Sequence, residues 1–383
     1  MGQTYYAILG PYSGRADGRC STPGRAQDAF AVPVIAPLLL NCRQSDKLDH
    51  GGVAMPAERP TVAVLGFPGE SEPPGLPRVA ELADTRVASS LPELERAIAD
   101  AEVLLVLDFR ADVLRDAWPA AGRLRWVHAA SAGVNNLMFP ELRSSDVTLT
   151  NARGVFDAPV AEWALAAILV FSKDLLTTLG LQRQHTWRHR ESERLAGKHV
   201  VVVGAGGIGR TTARFARAVG MSTTVVARTA RPDDEFGHVL GTADLDGALP
   251  QADALVLAAP LTAETRGLLD AGRLGRLRPD ALLINVGRGE LVDEKALVEA
   301  LRTRRLGGAA LDVFTEEPLP PDSPLWDMPN VIVSPHMSGD FVGWRTALTD
   351  QFAANLRRWI AGEPLDGVVD KHAGYATTGV DAT

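Results

Sequence analysis

A chain of 383 residues that is 46% hydrophobic and 22% charged has the make-up of soluble globular proteins. Its length suits two medium domains at about 100–200 residues each. The formal charge of −8 and the isoelectric point near 5.6 exclude the basic footprint of a nucleic-acid binder. Cys20 and Cys42 are the only cysteines, too few for a disulfide framework or a metal cluster, and they suit a reducing cytoplasm.

Residues 1–59 are rich in Gly, Pro, Ser and Arg, show no sustained periodicity, and are expected to form a flexible extension. The apolar run Ala31–Leu40 is broken by Pro33 and Pro37 and falls short of the ~20 residues a spanning helix needs. A soluble, cytoplasmic protein without membrane attachment is therefore expected. From Thr61 onward, short β-branched or apolar runs alternate with helical spacing. Strands are predicted at Thr61–Gly66, Glu102–Leu107, Leu124–His128 and Val147–Thr150, with a helix over Leu91–Asp100. A long apolar helix is predicted from Pro159 to Leu176, with Pro159 in its first turn. A second series of strands follows at His199–Val203, Thr223–Ala227, Ala254–Ala258, Ala281–Asn285, Ala309–Asp312 and Val331–Ser334. Phe341, Leu348, Phe352, Leu356 and Trp359 then share one helix face.

Strands alternating with helices predict an α/β fold of two doubly wound parallel sheets. The expected layout is a Rossmann cofactor domain, 158–339, inserted in a flavodoxin-like substrate domain. The latter comprises residues 60–157 and a return helix in 340–372, followed by a tail, 373–383.

The sharpest local motif is HVVVVGAGGIGRTTARFARAVG, in which Gly204, Gly206 and Gly209 form GxGxxG between a buried strand and a helix. The first glycine permits a tight turn, the second lets backbone approach a pyrophosphate, and the third lets helix and strand pack closely. The free N–H groups of the helix start, around Gly207 and Ile208, would face the phosphates. At the end of the next strand, where a carboxylate would select NAD, the chain has Ala227, Arg228 and Thr229, with Arg231 close behind. Guanidinium groups there favour a 2′-phosphate and hence NADP(H). Asp233 and Asp234 nearby leave NAD(H) open as the alternative.

The glycine loop is followed by INVGRGELVDEKAL at 284–297, LDVFTEEPLP at 311–320 and NVIVSPHMSG at 330–339. In order, spacing and strand context these resemble the D-isomer-specific 2-hydroxyacid dehydrogenases, over about residues 61–370. The resemblance is nearest to the glyoxylate and hydroxypyruvate reductase branch. It implies catalytic roles for Arg288, Glu317 and His336. Reduction of a 2-oxo acid asks for such a set: a guanidinium fork for the carboxylate and carbonyl, an imidazole proton donor, and a carboxylate to fix the ring. Glu316 stands beside Glu317, but Glu317 directly precedes Pro318.

AASAGVNNL at 129–137 matches the family's substrate-carboxylate loop, so Ala132, Gly133 and Val134 are candidate substrate contacts, the last two through backbone N–H groups. Arg110 is a further candidate at the cleft. The resemblance also implies cofactor contacts from Pro260, Thr265, Asn285, Val286 and Asp312, the last toward the nicotinamide carboxamide. His128 is the most credible of the remaining histidines. No metal-ligand spacing is present, and a homodimer is expected. The implied activity is NADPH-dependent reduction of a small 2-oxo acid, glyoxylate or hydroxypyruvate, to the D-2-hydroxy acid. Two alternatives stay open: an NAD-dependent dehydrogenase of a bulkier D-2-hydroxy acid, and a dinucleotide-sensing binding protein on the same fold.

Overall fold

The computed structural model describes residues 59–108 and 111–376. The extension expected over residues 1–59, but for Arg59, and the candidate Arg110 lie outside the described residues.

The first sheet is built from β1 (Thr61–Leu65), β2 (Asp84–Ala88), β3 (Val103–Val106), β4 (Trp126–Ala129) and β5 (Thr148–Asn151). Its order is β2-β1-β3-β4-β5, every pair parallel. Helices α1 (Leu76–Ala80), α2 (Leu91–Ile98), α3 (Ala111–Ala117) and α4 (Pro140–Ser144) connect these strands. Alternate residues of β1 serve opposite faces: Val62 and Val64 enter one core and Ala63 and Leu65 another. A strand buried on both faces reads as a continuous apolar run, which is why β1 and β3 are conspicuous in the sequence.

α5 (Asp157–Ser172) and α6 (Leu175–Arg183) follow. The single helix predicted from Pro159 to Leu176 is instead two, bent by 63°, with Asp174 between them in the left-handed region at φ 50. α5 carries apolar residues all round and is buried through Val160, Ala161, Ala164, Ala167 and Ile168. Among the described residues no single helix is long and apolar enough to cross a membrane.

The second sheet comprises β6 (His199–Val203), β7 (Ser222–Ala227), β8 (Arg231–Asp233), β9 (Gly237–Gly241), β10 (Ala254–Leu257), β11 (Leu282–Asn285), β12 (Gly308–Leu311) and β13 (Val331–Val333). Eight strands are present where six were predicted, in the order β13-β12-β11-β10-β6-β7-β9-β8. The chain winds one way from β6 through β7 to β9 and the other way from β10 to β13. A topological switch point therefore lies between β6 and β10, where this fold class binds ligands. Helices α7 (Gly207–Ala218), α8 (Leu245–Ala248), α9 (Ala271–Leu274) and α10 (Glu294–Arg302) lie between these strands.

The last helix, α11 (Trp344–Ala361), returns to the first sheet. Trp126 of β4 stacks on Phe352 and Trp359, with ring centroids at 5.1 and 6.3 Å. One core is continuous across both sheets, running from Val62, Trp126 and Phe352 through Ile168 of α5 to Val200 and Ala213. The short strands β14 (Val369–Asp370) and β15 (Tyr375–Ala376) form a closing hairpin.

His128 is fully buried in β4. Its Nδ1 lies 2.7 Å from Thr150 Oγ1, which also accepts from Trp126 Nε1 at 2.8 Å, and its Nε2 has no partner. Burial pushes the imidazole down to about 3, so it is a neutral core residue with no reach to the groove. The unfolded chain takes up this proton near pH 6.5 and the native chain does not until about pH 3. Stability is therefore lost as pH falls between those values, at a rate approaching about 1.4 kcal/mol per pH unit. Urea unfolding at several pH values is expected to show a shallower acid slope for His128→Gln than for the parent.

Candidate active site

The sequence-predicted residues gather where strands of the two sheets end. The glycine loop follows β6, Arg228 follows β7, Pro260 follows β10, Val286 and Arg288 follow β11, Asp312 follows β12, and His336 follows β13. The loop 130–134 follows β4 of the first sheet.

Each glycine of the loop has its own reason. Gly204 has φ 124, and a Cβ there would overlap the backbone at Ala258. A Cβ on Gly209 would overlap the carbonyl oxygen of Gly204, so helix and strand could not close. Gly206 is different: its φ is −78 and a Cβ would meet nothing within 4 Å. The protein itself does not require glycine at 206. The open space at Gly206, beside the start of α7 where the first N–H groups lack partners within the helix, has the form of a phosphate cradle, with the Asp157 carboxylate lying against Gly207.

At the end of β7, Arg228 and Thr229 are exposed. Two of the nearby acids, Asp233 and Glu235, are engaged elsewhere, while Asp234 is exposed. Arg210 of α7 bonds Asp233 through both Nη atoms, at 2.6 and 3.1 Å. Hydrogen bonds from Arg210 hold the Asp233 carboxyl far below the usual carboxylate range, against the opposing effect of burial. Arg210 and Arg214 together bind Glu235. The β8–β9 hairpin is thus clamped to α7, and Asp233 is turned away from a ribose-binding role. Arg231 begins β8 and is half-buried.

Asn285 shapes the turn that carries Arg288. Its Oδ1 accepts from Gly287 N at 3.1 Å, and its Nδ2 donates to Arg288 O at 2.9 Å. Val286 is buried and donates to Leu257 O at 3.0 Å. Arg288 Nη1 donates to Gly287 O at 2.6 Å, while its Nη2 lies so close to Gly133 that a Cβ on that glycine would overlap it. Burial lowers the guanidinium's pKa while Glu317 and Glu290 raise it, and arginine stays charged throughout. The loop facing it is fixed by Ser131 Oγ to Gly133 O at 2.7 Å and Asn151 Nδ2 to Ala132 O at 2.6 Å. Among the described residues, the N–H groups of Gly133 and Val134 meet no protein acceptor. Asn135 Nδ2 donates to Leu261 O at 2.6 Å, tying this loop to the segment after β10.

His336 Nδ1 lies 2.8 Å from Glu317 Oε2, and Glu317 Oε1 accepts from Phe314 N at 2.9 Å. Burial raises the Glu317 pKa, but the bonds from His336 and Phe314 and the charge of Arg288 outweigh it and hold the group ionised below its ordinary value. His336 itself sits at φ 54, in the left-handed region that a non-glycine residue adopts only when its surroundings impose it. Asp312 supplies that constraint. It is 1% exposed, and its oxygens accept from Ser334 Oγ at 2.6 Å, Met337 N at 2.9 Å and Ser338 N at 3.0 Å. The carboxylate thus faces the 334–338 loop, a function that sequence reading missed because its partners lie more than twenty residues away. Thr265 likewise fastens its own loop, donating to Pro260 O and accepting from Thr262 N, both at 2.7 Å.

The sequence profile described as "D-isomer specific 2-hydroxyacid dehydrogenase, NAD binding domain" matches residues 165–338. A glyoxylate reductase of Thermofilum pendens is 31% identical over 317 residues, covering 78% of this chain and 91% of its own. Glyoxylate/hydroxypyruvate reductase A of Arabidopsis thaliana is 33% identical over 245 residues, covering 63% and 77%. Among solved structures, an NADPH-dependent glyoxylate/hydroxypyruvate reductase of Sinorhizobium meliloti, in complex with NADP and sulfate, aligns with a TM-score of 0.73 at 30% identity, over 83% of this chain and all of that one. A D-isomer specific 2-hydroxyacid dehydrogenase of Xanthobacter autotrophicus, in complex with NADPH and MES, aligns with a TM-score of 0.71 at 31% identity, over 83% and 100%. With the glycine cradle, the Arg288 turn and the His336–Glu317 pair at the strand ends of one such fold, the chain belongs to the D-isomer-specific 2-hydroxyacid dehydrogenase family.

Proposed function

We propose that the protein reduces a small 2-oxo acid, glyoxylate or hydroxypyruvate, to the D-2-hydroxy acid with NADPH. The observation that carries this reading is the meeting of Arg288 with the Gly133 loop, beside a Glu317 carboxylate that feels both Arg288 and His336. The bound dinucleotide would supply the hydride, and the cradle at Gly206 to Gly209 fits its pyrophosphate. Gly133 and Val134 N–H groups and the Arg288 fork bind the substrate carboxylate. Arg288 also stabilises negative charge developing on the carbonyl oxygen. His336 delivers the proton to that oxygen, and Glu317 fixes its ring through Nδ1 so that Nε2 faces the substrate. Asp312 holds the loop that presents His336.

The cofactor preference rests on Arg228 and Thr229 at the end of β7, with Asp233 consumed by Arg210. The NADP and NADPH bound in the Sinorhizobium and Xanthobacter structures support the same choice. The division into a substrate portion, 60–157 with 340–372, and a cofactor portion, 158–339, belongs to the proposal. So do a cytoplasmic location and a homodimer, the latter supported by the exposed apolar side chains Leu175 and Leu179 on α6 and Trp187 just beyond it.

Oxidation of NADPH and NADH in parallel, with glyoxylate, hydroxypyruvate, pyruvate and phenylpyruvate, tests the reading. Fastest turnover is expected for the two smallest acids with NADPH. Arg228→Ala is expected to raise KM for NADPH roughly ten- to hundred-fold, the worth of a charge-assisted bond to phosphate, with NADH little affected. A parent enzyme that prefers NADH, or turns over only phenylpyruvate, would overturn it.

A further inference from the structure

The β14–β15 hairpin reaches from the first sheet to the second at the Arg228 corner. β14 is anchored on the first sheet: Val368 bridges to Thr150, Val369 is 4% exposed, and the Lys371 ammonium is held by the carbonyls of Leu142, Ser145 and Val147. Asp370 caps the turn through His372 N at 2.8 Å and Ala373 N at 3.0 Å. The hairpin is therefore part of the first sheet's body. Yet Tyr375, which opens β15, lies under the guanidinium of Arg228, 5.8 Å from ring centroid to Cζ. Arg228 belongs to the second sheet, following β7. It is also within electrostatic reach of Glu264, after β10, and of Asp370.

A guanidinium laid on an aromatic face keeps its in-plane N–H groups free for an anion while the ring restricts its rotamers. An exposed arginine otherwise pays for that ordering on binding. The acids beside it, Glu264 and Asp370, offer rival partners, so the ring decides which way the fork points. We propose that Tyr375 is a positioning residue for cofactor specificity: its ring backs Arg228 and presents the guanidinium to the adenosine 2′-phosphate, so that discrimination of NADPH from NADH depends on the carboxyl-terminal hairpin. The inference rests on the NADPH reading above.

Equilibrium titration of the full chain with NADPH and NADH, followed by the quenching of protein fluorescence, tests it without turnover. Tyr375→Ala is expected to raise Kd for NADPH about two- to five-fold, the range of an exposed cation–π contact, and to leave Kd for NADH unchanged. Tyr375→Phe, which keeps the ring, should restore the parent value. On an Arg228→Ala background, Tyr375→Ala should add nothing further. Equal weakening of both cofactors, a full effect in Tyr375→Phe, or an undiminished effect without Arg228 each overturns the inference. A parent that binds the two cofactors alike overturns the NADPH reading and this inference with it. A parent preference that survives Tyr375→Ala intact overturns this inference alone.

Discussion

Replacing His336 by asparagine is expected to lower kcat for 2-oxo acid reduction by roughly 10²–10⁴-fold, the usual worth of a positioned proton donor. The affinity for NADPH should stay near that of the parent, because no part of the glycine cradle depends on the imidazole. Asparagine tolerates the left-handed backbone that position 336 requires, at φ 54, so the loop held by Asp312 should keep its course. Steady-state kinetics beside a cofactor titration separate the two quantities. Unchanged kcat would remove His336 from the proton path, and parallel losses of kcat and cofactor affinity would indicate a collapsed loop instead.

Gly133→Ala is expected to lower kcat/KM by about 100-fold, the scale of a reacting group displaced by 1 Å. The added methyl would overlap Nη2 of Arg288. That atom is the far end of a flexible side chain, so the fold can yield cheaply and the melting temperature should hardly move. The function cannot yield as cheaply, because the guanidinium displaced is the one proposed to grip the substrate carboxylate. Arg288→Ala supplies the reference, and adding Gly133→Ala to it should cost little more, since the overlap is gone. A Gly133→Ala enzyme with parental kcat/KM would separate this loop from the substrate.

The strands that sequence made legible are those buried on both faces. β1, β3, β6 and β10 are near-continuous apolar runs, and their alternation with helical segments carried the fold class. β2 (DTRVA) has exposed or half-exposed positions along most of its length, and β8 and β9 are short, polar or bounded by glycine. β2 and β8 are edge strands and β9 lies next to the edge; they exist because neighbours template them, and no local signal marks them. The break between α5 and α6 falls at Lys173 and Asp174, with neither Gly nor Pro to announce it.

The candidate site divides in the same way. Arg288, Glu317, His336 and the glycine loop sit in compact motifs; the glycine loop is legible from its own spacing, and the roles of the other three are implied by the resemblance those motifs carry. The contacts that set their geometry join distant segments. Gly133 meets Arg288, Asp312 gathers the 334–338 loop, Arg210 takes up Asp233, and Tyr375 lies under Arg228. Asp233 is instructive: proximity to Arg228 in sequence made it a rival for the ribose, and only the fold of the β8–β9 hairpin turns it to α7.

Asp312 binds the 334–338 loop to the end of β12, immediately before the chain leaves the second sheet for α11. His336 consequently travels with the strands that also carry Arg288 and Glu317. A hinge movement about the crossings near 152–157 and 339–343 would leave these three side chains mutually in register and alter only their separation from the Gly133 loop. On the proposed function, the guanidinium, the carboxylate and the proton donor are assembled on one side of the groove beforehand, and such a movement would have to order only the two backbone N–H groups of the Gly133 loop against them.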